Sequence, residues 1–84
     1  MPTKTAWANA VIVHLNQLDE KLFKAATSAN HDELGKPPPK DPVDFLSWLR
    51  GDEPWASMEF EEMNPQDYAQ ILIEEWRLYG PGGE

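Results

Sequence analysis

The sequence predicts an all-α fold: a small single-domain bundle of three to four helices, with two longer helices at about 5–28 and 65–79 and one or two short helices between them. Three observations carry that prediction. A long apolar stripe of helical period runs through the first third of the chain. Two later segments, "DPVD" and "NPQD", each place a capping residue directly before proline, a recurrent helix opening. Only one weakly alternating run is present, and a strand without a partner does not make a stable sheet.

The first helix rests on spacing. At 100° per residue, Trp7, Val11, Leu15, Leu18, Leu22 and Ala26 fall within a stripe of roughly a hundred degrees, with Ala8, Ile12 and Phe23 beside it. Asn16, Glu20 and Lys24 lie opposite. Thr3 or Thr5 is placed to cap the start, and the small and polar residues of "TSANHDELG" suggest that the helix ends near residue 28. Val13 points away from the stripe, as a lone surface valine or a partner contact.

Residues 29–41 read as a proline-rich connector. Three consecutive prolines at 37–39 hold φ near −65° and remove three backbone donors, so "GKPPPKDP" is expected to be extended polyproline II, a stiff spacer rather than a helix. Pro39 and Pro42 match the bare spacing of a proline-rich ligand motif, but no arginine flanks them. In "DPVDFLSWLRG", Asp41 caps, Pro42 takes the first helical position and Gly51 stops the helix. Phe45, Leu46, Trp48 and Leu49 give this short element apolar groups on more than one side, so it is either enclosed or offers a face to a partner.

"DEPWASMEFEEM" is read as a short helix or helical turn. The last helix opens at Asn64-Pro65 and closes at Gly80-Pro81. Tyr68, Ala69, Leu72, Trp76 and Tyr79 form its stripe, with Ile71, Ile73 and Leu78 around them. The two long helices are expected to pair antiparallel, and residues 80–84 form a flexible tail.

Composition bounds the function. Eighty-four residues suffice for one core, and nine aromatics, four of them tryptophan, supply large buried areas. The absence of cysteine removes disulfides, thiolate metal sites and a thiol nucleophile, and favours a reducing compartment. "MPTKTAWANAVIVHLNQ" lacks the features of a signal peptide, so the expected location is the cytoplasm. The longest unbroken apolar run, "AVIV", is far below the ~20 residues of a membrane span.

Charge is strongly uneven. Residues 1–40 hold five lysines and four acids, giving +1; residues 41–84 hold eleven acids and two arginines, giving −9, for a net charge of −8. Between Arg50 and Arg77 lie eight acids and no base. Such a field opposes direct contact with nucleic-acid phosphates and anionic membrane surfaces, and attracts a basic protein surface.

Catalytic patterns are weak. Ser28, Ser47 and Ser57 lie in no nucleophile elbow, and the "GPGGE" cluster precedes no helix that would cradle phosphate. His14 sits at the edge of the apolar stripe. His31, Asp32 and Glu33 are adjacent in sequence, which gives poor metal geometry. No cofactor, metal site or enzymatic activity is expected.

The expected function is a non-catalytic protein-binding module: an inhibitor, adaptor or regulator whose acidic C-terminal half docks on a basic surface of a larger protein. One form of this idea is a nucleic-acid mimic of phage counter-defence type. The candidate partner-binding residues are Asp52, Glu53, Trp55, Glu59, Phe60, Glu61, Glu62, Glu74 and Glu75. The alternative is a small structural subunit or assembly factor held by apolar contacts, using Val13 and the short helix that carries Phe45, Leu46, Trp48 and Leu49.

Overall fold

The computed structural model describes residues 3–49 and 63–80. The short element expected at 52–63 therefore lies, but for Met63, outside the described residues, as do the stop at Gly51 and the tail beyond Gly80. Four helices are present among the described residues, with no strand: α1 Lys4–Leu18, α2 Glu20–Leu34, α3 Pro42–Leu49 and α4 Pro65–Tyr79. The all-α bundle is thus observed.

The stretch expected as one long helix is two. Asp19 leaves helical geometry at φ −161° and ψ 87° and serves both neighbours. Its backbone N–H donates to the Leu15 carbonyl at 3.2 Å, closing α1. Its carboxylate accepts from the Leu22 N–H at 3.1 Å, opening α2 as an N-cap. A continuous rod over residues 4–34 would reach about 46 Å at 1.5 Å per residue, longer than the 35 Å greatest extent of the fold. The break keeps the second half on the core, where Phe23 and Ala26 are buried.

The helix also continues six residues past the expected end. Gly35 terminates α2 at φ +70°, the left-handed conformation that glycine adopts without a Cβ penalty, and its N–H donates to the His31 carbonyl. Asn30, read from sequence as part of a turn, is a buried helical residue. Its side-chain amide donates to the Ala26 carbonyl at 3.2 Å and to the Leu49 carbonyl at 2.9 Å. The second bond satisfies an otherwise orphan carbonyl at the end of α3 and ties α2 to it.

The remaining starts follow their local chemistry. Thr3 Oγ1 accepts from Ala6 N–H, Asp41 Oδ2 from Asp44 N–H, and Asn64 Oδ1 from Gln66 and Asp67 N–H.

Packing centres on α1, which touches each of the other helices and α4 most extensively. Trp7, Ala8, Val11 and Leu15 meet Tyr68, Ala69, Leu72, Ile73 and Trp76 in one core cluster. Leu46, Trp48 and Leu49 of α3 complete it.

The α1–α4 pair runs parallel rather than antiparallel. Near the start of both helices the Trp7 ring lies 5.4 Å from that of Tyr68, and Trp7 Nε1 donates to the Met63 carbonyl at 2.7 Å. At their ends Arg77 reaches Asp19 at 3.4 Å. The pairing is possible because α2, the connector and α3 intervene, so the chain has length enough to return before α4 begins. Arg77 also sits in the last turn of α4, where a cation complements the helix dipole.

The proline connector makes a similar return on a smaller scale. Phe23 meets Phe45, and Asn30 meets Leu49, so α3 advances in the same sense as α2. Residues 35–41 must therefore run back along α2. At about 3.1 Å per residue an extended proline-rich segment of this length covers roughly 22 Å, enough to pass back over some ten helical residues. Pro38 accordingly lines one cleft with Phe23, Thr27 and His31 of α2.

Candidate docking surface

Of the nine residues proposed from sequence, Asp52, Glu53, Trp55, Glu59, Phe60, Glu61 and Glu62 lie outside the described residues. Glu74 and Glu75 are on α4, Glu74 exposed and Glu75 half-buried.

Helix α4 has two faces. Tyr68, Ala69, Leu72, Ile73 and Trp76 form the face buried against α1. Tyr79, placed by sequence in this stripe, is instead exposed, because the stripe's last turn runs past the end of the core. Ile71 and Leu78 are also exposed, at 43 % and 76 %. Seven residues apart, they sit within about 20° of each other around the helix axis, on the side away from α1. Glu74 and Glu75 project on either side of the line joining them, and exposed Asp67 lies one turn before Ile71. The result is a stripe at i, i+4, i+7, i+8 and i+11 that alternates acid and large apolar side chains. From sequence, Ile71 and Leu78 stand only at the fringe of the stripe, and Asp67 is the last residue of the "NPQD" helix opening. The signal that separates them is spacing, since neither apolar residue shares the phase of Leu72 and Trp76.

The cation nearest in sequence, Arg77, points elsewhere, towards Asp19. With exposed Asp67 and Glu74 beside the exposed Ile71 and Leu78, the outer face of α4 is an acidic strip with two apolar anchors. The combination suits a partner bearing basic groups around an apolar patch, because desolvated apolar area supplies affinity while the charges steer and orient.

The apolar surface considered for α3 is used internally. Leu46, Trp48 and Leu49 are buried and Phe45 is half-buried, with its ring 5.7 Å from that of Trp48. Val13 is exposed on the far side of α1, apart from the α4 strip. Met63 packs against the core.

His14 is half-buried on α1, and His31 is exposed in the last turn of α2 rather than in a loop. Among the described residues no group of three or more His, Asp or Glu side chains is gathered closely enough to hold a metal ion. No described helix is long and apolar enough to cross a membrane. Compared with known protein families, with curated proteins and with solved structures, the chain matches none.

Proposed function

We propose that this protein is a non-catalytic binding module that docks through its acidic C-terminal half on a basic surface of a larger protein, as an inhibitor, adaptor or regulator. The observation that carries this reading is the outer face of α4. There Ile71 and Leu78 stand exposed on one line, with Asp67, Glu74 and Glu75 around them. Burying two large apolar side chains in a partner contributes on the order of 1–2 kcal/mol each, and a surrounding ring of carboxylates accelerates encounter with a cationic patch. The mixture of acid and apolar groups favours a protein partner over strict imitation of a phosphate backbone, which carries no apolar anchors.

The test is affinity capture from the source cell with the wild-type chain and with a Glu74→Lys/Glu75→Lys variant. The wild type is expected to retain a basic protein whose affinity falls steeply between low and several-hundred-millimolar salt, and the variant to lose it. A captured complex that is indifferent to both salt and charge reversal would contradict the reading.

A further inference from the structure

A second surface, independent of the docking face, lies where the proline connector passes back over α2. A cleft of about 440 Å³ opens there, within the range of roughly 300–1,000 Å³ typical of small-molecule sites. Its floor is apolar, formed by buried Phe23 and half-buried Phe45, with exposed Pro38 as an apolar wall. The two phenylalanine rings meet edge to face at 6.0 Å and 77°, and the Phe45 ring in turn tilts against Trp48. A flat aromatic group laid on this floor would extend an existing aromatic array in an offset or edge geometry.

The rim differs from most of the molecule in charge. The chain holds fifteen acids against seven lysines and arginines, yet the described rim residues are Asn16, Lys24, Thr27, Ser28 and His31, with no carboxylate among them. Four of these share one face of α2 at i, i+3, i+4 and i+7. The Thr27 hydroxyl is committed to the Phe23 carbonyl at 2.9 Å. Lys24 and His31 stand at opposite ends, about 10.5 Å apart along the axis. The two ends are not equivalent for an anion. His31 lies in the last turn of α2, where unsatisfied carbonyls disfavour negative charge, whereas Lys24 is clear of that end. Among the described residues the carboxylate partner of Lys24 is Glu20, one turn back at 3.7 Å, with both side chains largely exposed. A pair of that kind is weak and readily exchanged for a bound anion.

We propose that this cleft binds a small aryl carboxylate, its ring on Phe23 and Phe45 and its carboxylate at Lys24. Selectivity arises from the combination. A neutral aromatic gains the floor but not the cation, and an aliphatic anion gains the cation but not the ring contacts.

The test is a titration of the full-length chain with 2-naphthoate and with its neutral isostere 2-naphthamide, followed by ¹⁵N–¹H correlation spectra. Salt near 150 mM screens the repulsion of the net negative chain beyond ~8 Å. Saturable shifts are expected around residues 16, 23–31 and 45, with the carboxylate binding roughly three- to fivefold more tightly than the amide. Lys24→Gln should bring naphthoate down to the affinity of the amide, while Glu20→Gln should tighten it by freeing Lys24. Both substitutions are at exposed positions, so the fold is retained. Equal affinity for the two probes would overturn the proposal. So would shifts scattered over the surface, no saturation, or charge variants that leave naphthoate affinity unmoved or shift it in the same direction.

Discussion

The two parallel helix pairs in this molecule are built differently. Between α1 and α4 the seam is closed. Val11, Leu15 and Leu72 are fully buried, and polar contacts tie both ends, Trp7 to the Met63 carbonyl and Arg77 to Asp19. Between α2 and α3 the seam is open along one side. Asn30 bonds to Leu49 at one end and Phe23 meets Phe45 at the other, but a cleft remains where the connector passes. A closed seam stabilises the fold and leaves its outer faces free for contacts with other molecules. An open one sacrifices some packing and creates a place where a ligand can lie.

That contrast can be tested by substitution. The largest effect is expected in the closed seam: Leu72→Ala, at a fully buried position, should cost about 3 kcal/mol in a chemical-denaturation experiment. Phe45→Ala in the open seam removes a larger side chain but should cost less, about 1–2 kcal/mol, because Phe45 is half-buried against an existing cleft. If the two costs were reversed, the closed and open assignments would be wrong. Asn30→Ala comes next. It leaves the buried Leu49 carbonyl without its donor, which should cost about 1–2 kcal/mol, and hydrogen exchange should rise at the end of α3 more than in α4. Asp19→Ala should cost about 1 kcal/mol through the lost N-cap. Arg77→Ala should be smallest, below about 1 kcal/mol, since the pair it breaks is long at 3.4 Å and its Arg77 side is exposed, and it should weaken further in high salt.

These residues also show how far the sequence could be read. Helix starts at Asp41-Pro42 and Asn64-Pro65 were legible because capping is local, needing only the side chain and the next three backbone donors. The extent of α4, Pro65–Tyr79, was legible for the same reason. The break at Asp19 was not, because the apolar stripe passes through it unchanged: Leu15, Leu18 and Leu22 keep helical phase on either side of one extended residue. The continuation of α2 to Leu34 was hidden by Ser28, Asn30 and His31, whose turn-like character is outweighed by a bond from Asn30 to a residue nineteen positions away. Periodicity states which face of a helix is buried but not the direction of its neighbour, so the parallel pairing emerged only from contacts such as Trp7 with Tyr68. Of the candidate site, the acidic character was plain from composition. The anchors Ile71 and Leu78 are off the phase of Leu72 and Trp76, but with Ile73 beside them they read as the fringe of a wide apolar arc, and their exposure separates them.

The claim that matters most for function is that the exposed anchors of α4, Ile71 and Leu78, are used for docking. Replacing its two anchors, Ile71→Ser with Leu78→Ser, keeps the charge unchanged and tests both halves together. With the protein captured by the wild-type chain as ligand, calorimetric titration should show affinity reduced at least about tenfold, a loss of ~1.4 kcal/mol or more, while the thermal melt of the free chain stays within a few degrees of wild type. Full affinity retained by a variant that melts normally would contradict the account.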